Sequence, residues 1–509
     1  MNGNGVPSRG RVWLKGLFGG IGAQVVSILI GLAFIPLALD YLGATQFGVW
    51  VVLNSIMAYF GLVQGGTGIA TVAMISGFSR DARQQISVFR DAIRFLTWTA
   101  LILMILLLLM VLYPDAWSGV FSKLTSNEKD EAVWACVFLI FPYLCRFPAT
   151  VFSTAFVGLQ ELHLERFYVS MLPTTLNFVA LLITIHFHGG LILLAGLTGG
   201  ANVVSSLAAM IHFFARHGTL IRNNCHIPSL ERERKFIHSS LRFIVASSMA
   251  IIVWNTDSLV IGYFSGQEQV TAYAVTFKIF MAGFILVTSI AQALWPMFGT
   301  EGGNENWEWI NRVYGHTLIL LPILGGLIWI GGILFAKPII ILWAGETGYG
   351  GSLVVFALGG YAYMISTGSV HASLLSGLNI IVLWMAILEA VLNLMLSVVL
   401  IHYFGIGGVA LGTLLASLFT VCLFGPVIVK RETKGYVSMP WQKVLRFFFT
   451  VVLPFVFVAQ LTSTYFTSYT VILVGVGIIL CYLYVSWKTM NTTARNKILH
   501  VLRVNEVIV

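Results

Sequence analysis

Four ionisable side chains stand inside apolar stretches, where a hydrocarbon environment makes a charge costly. Arg146 sits in FPYLCRFPATVF, bracketed by Pro142 and Pro148. Each proline removes a backbone donor and bends a helix, so the guanidinium is expected at a kink. A charge at bilayer depth costs roughly 2.5 to 3.5 kcal/mol on insertion scales. No acidic residue lies at comparable depth in the first half of the chain, Asp40 belonging to the outer end of its helix. A fork of donors without a counter-charge suits an anionic ligand; the plainer alternative is an arginine bonded to carbonyls that the two prolines release. Asp257 and Lys278 fall about 10 Å and about 12 Å deep from one face at helical rise. Either they pair as a registry device, or Lys278 is a second cation and Asp257 its switchable counter-ion. Glu389, in WMAILEAVLN, has no basic residue nearby at matching depth, and is either a hydrogen-bonded structural acid or a proton carrier. Gln24, Asn54, Gln64, Asn177, Asn202, Asn255, Gln292 and Asn393 add amides within or beside the same segments. These can bond hydroxyl-rich ligands or hold helices together.

The elements that position these residues follow from composition. Of 509 residues 58% are hydrophobic and only 10% charged, with mean hydropathy +0.89, a profile that excludes a water-soluble domain of this length. The apolar blocks are too long for barrel strands and lack strict alternation, which leaves a bundle of helices. Apolar windows predict an all-α polytopic membrane protein of about fourteen helices, among them 13–39, 46–64, 131–157 and 238–264. The net charge of +9 gathers in alternate loops and both ends; only Lys123 and Lys129 fall in the others. The positive-inside rule then places both termini in the cytoplasm, and no nucleic acid is implied. LERERKF, residues 230–236, is expected as a solvated linker helix. The five cysteines have no paired spacing, so neither a disulfide framework nor a metal site is indicated. No Walker loop, HExxH or acidic metal pair occurs, and the chain is expected to be no enzyme and to need no cofactor.

The chain also repeats itself. The opening hairpin with Tyr41 and Trp50 returns near Tyr263 and Tyr273, and NFVALLITIHFHG from Asn177 returns as NLMLSVVLIHYFG from Asn393. Upstream, Gly158, Leu159 and Gln160 match Gly377, Leu378 and Asn379. This predicts two pseudo-symmetric six-helix lobes, residues 1–229 and 230–440, followed by two C-terminal helices in 441–509. Because six is even, the lobes share one orientation.

Leu42, Gly43, Phe47, Gly48 and Trp50 between the first two helices, with Tyr59 and the glycines at 65, 66 and 68, resemble the polysaccharide-transporter family of lipid-linked oligosaccharide flippases, which includes O-antigen translocases. Where that family often has an acidic residue before the glycine cluster, this chain has Gln64, which leaves a proton role there without its carboxyl. The resemblance implies the fold shared with MATE exporters and the lipid II flippase, and a bacterial cytoplasmic-membrane transporter of undecaprenyl-diphosphate-linked oligosaccharide for surface polysaccharide. Arg146 and Lys278 would then meet the headgroup, Asp257 or Glu389 would couple protons, and the amides would accept sugars. Implied partners are membrane lipids, a polysaccharide polymerase and chain-length proteins. Two alternatives stay open: a MATE-type small-molecule antiporter, and a non-transporting membrane scaffold of a glycan-synthesis complex.

Overall fold

The computed structural model describes residues 9–77, 82–113, 118–159, 161–222, 229–378, 383–466 and 468–489. Among them the regular elements are all helical, with short 3-10 and π turns. Eleven described helices are long and apolar enough to cross a membrane, or twelve if one bent pair is a single span. The fourteen expected exceed that count for visible reasons. Windows 13–39 and 46–64 join in α1 (Arg9–Gly77), whose helical backbone is interrupted at Gly43, with φ 75° and ψ 168°. Window 238–264 lies within one continuous helix, Leu230–Phe264, of which Ile251–Phe264 is an apolar stretch shorter than a full span. Gly43 adopts a left-handed φ that a side chain would strain, and Gly266 closes the repeated hairpin in the same region at φ 94°.

The lipid-facing surface can be read on α2 (Ala82–Leu112). Ile102, Ile105, Leu109 and Leu112, spaced three and four apart, are 47% to 63% exposed. Such a stripe would aggregate in water and is the natural outer face of a helix in a bilayer.

Two compact units form, residues 1–270 and 271–509. The division at 229/230 read from the repeat follows sequence similarity; compactness divides the chain later, because α8 (Leu230–Phe264) packs along α1 within the first unit. There the Tyr59 hydroxyl and Thr256 Oγ1 lie 2.6 Å apart. The expected solvated face of LERERKF is instead amphipathic. Arg232 and Phe236, four residues apart, are buried, while Leu230, Arg234 and Lys235 are exposed. Alternating charge in the sequence hid a helical period.

In the second unit, α10 (Trp295–Gly303), α11 (Trp307–Ala344) and α12 (Ser352–Gly377) enclose a core that includes Phe298, Tyr314 and Leu374. The buried Tyr314 hydroxyl lies 2.9 Å from His371 Nδ1. The two last helices, α17 (Leu453–Tyr465) and α18 (Ser468–Thr489), pack on α11 in this unit. Tyr482, fully buried, donates to the Ile323 carbonyl at 3.1 Å.

Candidate functional site

The fourth predicted span is broken at Arg146. It consists of α3 (Ser126–Cys145) and α4 (Phe147–Gly158), bent by 54°. Pro142 lies inside α3 and Pro148 at the start of α4, the position where a missing N–H costs least. The Arg146 N–H still reaches the Pro142 carbonyl at 3.2 Å. Its guanidinium, however, turns to side chains. Nη2 donates to Gln64 Oε1 at 3.3 Å, and the group lies 4.3 Å from the centre of the Tyr143 ring. Gln64 can come this close because Gly61, one turn earlier, faces Tyr143: a Cβ there would lie 2.6 Å from its hydroxyl. The buried Nε of Arg146 has no hydrogen-bond partner among the described residues.

Beside it is a cavity of about 210 Å³ lined mostly by polar residues. Thr150 and Ser153 continue the Arg146 face of α4 at helical spacing. Tyr168 and Val169 come from a π turn, Phe167–Met171, that follows α5 (Leu162–Arg166). The wide turn precedes Pro173 in α6 (Leu172–His186), where the missing N–H interrupts the ordinary ladder. Thr174 and Asn177 of α6 and Asn202 and Ser206 of α7 (Leu191–Arg222) complete the wall. No lining residue is acidic, and Arg146 is the one cation among them. Asn177 Oδ1 is buried without a hydrogen-bond partner among the described residues. The cavity therefore offers a permanent positive charge with a spare donor, an unsatisfied acceptor, and hydroxyls around them.

The structure brings together four of the residues singled out in the sequence: Arg146, Gln64, Asn177 and Asn202. Asn54 and Asn255 instead donate to carbonyls one turn back in their own helices, Trp50 at 2.7 Å and Ile251 at 2.9 Å. Asn393 of α13 (Leu383–Phe404) is buried and donates to Thr413 of α14 (Ile406–Ser417) at 2.7 Å, a helix-to-helix tie. Gln292 is exposed at the end of α9 (Gln267–Gln292), and the Gln24 side chain lies outside the described residues. Asp257 is buried in the first unit and Lys278 exposed in the second. Glu389 is half-buried and hydrogen-bonds with Ser417. Thr150, Ser153, Tyr168, Thr174 and Ser206 were missed. Following the helix face from Arg146 by fours and threes would have reached the first two, as following it from Asn202 reaches Ser206.

A second inward arginine was also missed. Arg232 Nε donates to Asp91 Oδ2 at 2.8 Å, with both side chains under a tenth exposed. The pair joins the third turn of α2 to the first turn of α8.

Residues 13–300 match a family model described as "Polysaccharide biosynthesis protein", and residues 243–404 match one described as MatE. A putative O-antigen transporter of Salmonella typhi is 22% identical over 426 residues, covering 81% of this chain and 94% of that protein. Among solved structures, the lipid II flippase MurJ in an inward closed conformation is similar with a TM-score of 0.69 and 14% identity, covering 92% of this chain and 98% of that one. An inward-facing multidrug resistance MATE transporter of the MOP superfamily gives a TM-score of 0.71 with 17% identity over 81% of this chain and 95% of its own. The shared fold is that of these membrane transporters.

Proposed function

Because the chain belongs to the polysaccharide biosynthesis protein family, we propose that it moves a polyprenyl-diphosphate-linked oligosaccharide from the inner to the outer leaflet of a bacterial inner membrane, as a unit of O-antigen or another surface polysaccharide. The relative named as an O-antigen transporter supports this reading over nearly its whole length. The observation that carries it is the Arg146 guanidinium, held at a helix break over a polar cavity without a carboxylate. A diphosphate supplies the acceptors that Nε and the remaining N–H groups lack.

A cavity of about 210 Å³ is smaller than the roughly 300 to 1,000 Å³ of drug-sized sites. It fits a phosphate with its first sugar, so the rest of the glycan and the lipid tail lie outside it. Gln64, Asn177 and the ring of hydroxyls meet that first sugar, and Arg146 holds the phosphate. Lys278 serves as a second cation, and Asp257 or Glu389 changes protonation as the transporter alternates between states open to either side. Both termini face the cytoplasm in this arrangement.

The MATE match favours one competing activity, export of cationic small molecules. Such a cargo calls for acidic lining, and the Arg146 cavity has none. One experiment separates the readings. In cells lacking the native gene, Arg146→Ala should lower surface-polysaccharide export about 10- to 100-fold, the loss expected from one or two charge-assisted hydrogen bonds, with protein level and drug tolerance unchanged. Wild-type export from Arg146→Ala would favour the scaffold, and altered drug tolerance the exporter.

A further inference from the structure

The second unit contains a larger cavity, of about 770 Å³, at the end of the bundle where α11 begins and α18 finishes. Arg312, Lys443, Arg446 and Lys488 line it, with His316 beside them and no carboxylate in the wall. Arg312 pairs with Glu308, one turn back on α11. Lys443 and Arg446 have no carboxylate within ion-pair distance among the described residues, and Lys488 rests over the Tyr484 ring at 5.0 Å. Read from the sequence, the charges of this region serve orientation first. Orientation requires basic residues on one side of the membrane; it does not require four of them around a single cavity.

The rest of the wall narrows the ligand. Ile319, Leu320 and Phe447 make an apolar floor under the cationic mouth. On α16 (Trp441–Phe447) and the π turn after it, Lys443, Arg446 and Thr450 share the cavity face, while Trp441, Leu445 and Phe449 are exposed on the other. A cationic stripe beside a lipid-facing apolar stripe is the arrangement that holds an amphiphile at a membrane surface. Asn311 Oδ1 accepts the Ser438 N–H at 3.1 Å, which ties the incoming loop across the rim. We propose that this cavity binds the phosphate of a membrane lipid headgroup, at a place separate from the Arg146 cavity and independent of whether cargo passes there.

The test uses the purified full chain in detergent, carrying Arg146→Ala so that the first cavity does not contribute. It is titrated with phosphatidylglycerol, with a polyprenyl diphosphate and with inorganic phosphate, and affinity is read from the rise in thermal midpoint. Saturable binding of either lipid is expected, about fivefold weaker for each of Lys443→Gln, Arg446→Gln and Lys488→Gln; the tighter lipid identifies the source. Gly315→Leu keeps every charge and puts a branched side chain into part of the cavity, where a Cβ meets only Pro440, at 3.8 Å, and it should weaken saturable binding. Wild-type lipid binding by the triple charge variant overturns the proposal and leaves the charges to orientation. Equal affinity for inorganic phosphate overturns the assignment to a lipid.

Discussion

The first unit holds two inward arginines that differ in their company. Arg232 has a carboxylate at 2.8 Å, and the pair is almost wholly buried. Arg146 has a neutral amide at 3.3 Å and an aromatic face, and opens on a cavity. A guanidinium that ties two helices needs its counter-charge in the protein, because nothing else will neutralise it there. One that meets a passing anion works better without such a partner, since a resident carboxylate would compete for the same donors. The contrast assigns architecture to Arg232 and ligand contact to Arg146.

The largest expected effect comes from removing the partner of Arg232. Asp91→Ala leaves a buried charge uncompensated and should cost about 3 to 5 kcal/mol of stability, seen as a lower thermal midpoint in detergent. Replacing both members together, Asp91→Leu with Arg232→Met, should recover most of that loss. If the double variant is as unstable as Asp91→Ala, the pair is not what holds α2 to the first turn of α8. Export should follow protein level in all three chains.

Making Arg146 resemble Arg232 sharpens the contrast from the other side. Gln64→Glu places a carboxylate about where the amide oxygen now lies, 3.3 Å from Nη2. The new ion pair should leave stability equal or slightly higher, while export falls about tenfold because an anionic headgroup must displace the resident acid. Full export from Gln64→Glu would show that a carboxylate beside Arg146 does not keep the headgroup from it. Asn177→Ala should have a smaller effect, a few-fold loss, since it removes one acceptor and no charge. Asn393→Ala, its counterpart in the repeat, removes the tie to Thr413 and should reduce the thermal midpoint with export per folded molecule unchanged.

Much of this division was legible in the residues. The two prolines around Arg146 announced a break, and the matching segment shows why they matter. Aligning Gly158–Gln160 with Gly377–Asn379 sets Pro142, Arg146 and Pro148 against Tyr361, Ile365 and Thr367, and α12 there runs from Ser352 to Gly377 as one helix. Gly43 likewise announced its turn. Less legible was anything that depended on which helix faces which. The charge string 230–236 looked uniformly solvated because a one-dimensional reading does not show that Arg232 meets an aspartate 141 residues away. The amides were overcounted for a related reason. Asn54 and Asn255 satisfy themselves on their own helices, a choice that residue type alone does not reveal. Conversely, Thr150, Ser153 and Ser206, whose hydroxyls donate to carbonyls of their own helices, are ordinary in an apolar helix until the fold sets them around one cavity.

The smallest expected effect is a control far from both arginines, where an exposed charge shows the scale of an ordinary local interaction. Glu128, in the first turn of α3, accepts hydrogen bonds from the Thr125 backbone N–H at 2.9 Å and from its hydroxyl at 2.8 Å. These two donors, the backbone one foremost, hold its carboxyl below the usual range. A group whose pKa is lower in the folded chain than in the unfolded one contributes stability above the unfolded value, near 4.3. That contribution fades as pH falls through the folded value. Glu128→Gln should therefore lower the thermal midpoint slightly at pH 7, and the gap to wild type should close as the pH is taken below about 4. Its charge is largely solvated, so the gap should also shrink in high salt. The Asp91 effect should persist in high salt, because both members of that pair are buried and mobile ions reach them poorly. If salt removes both effects equally, burial does not distinguish Asp91 and Arg232 from a surface cap. The difference drawn between the two inward arginines would then rest on Arg146 alone.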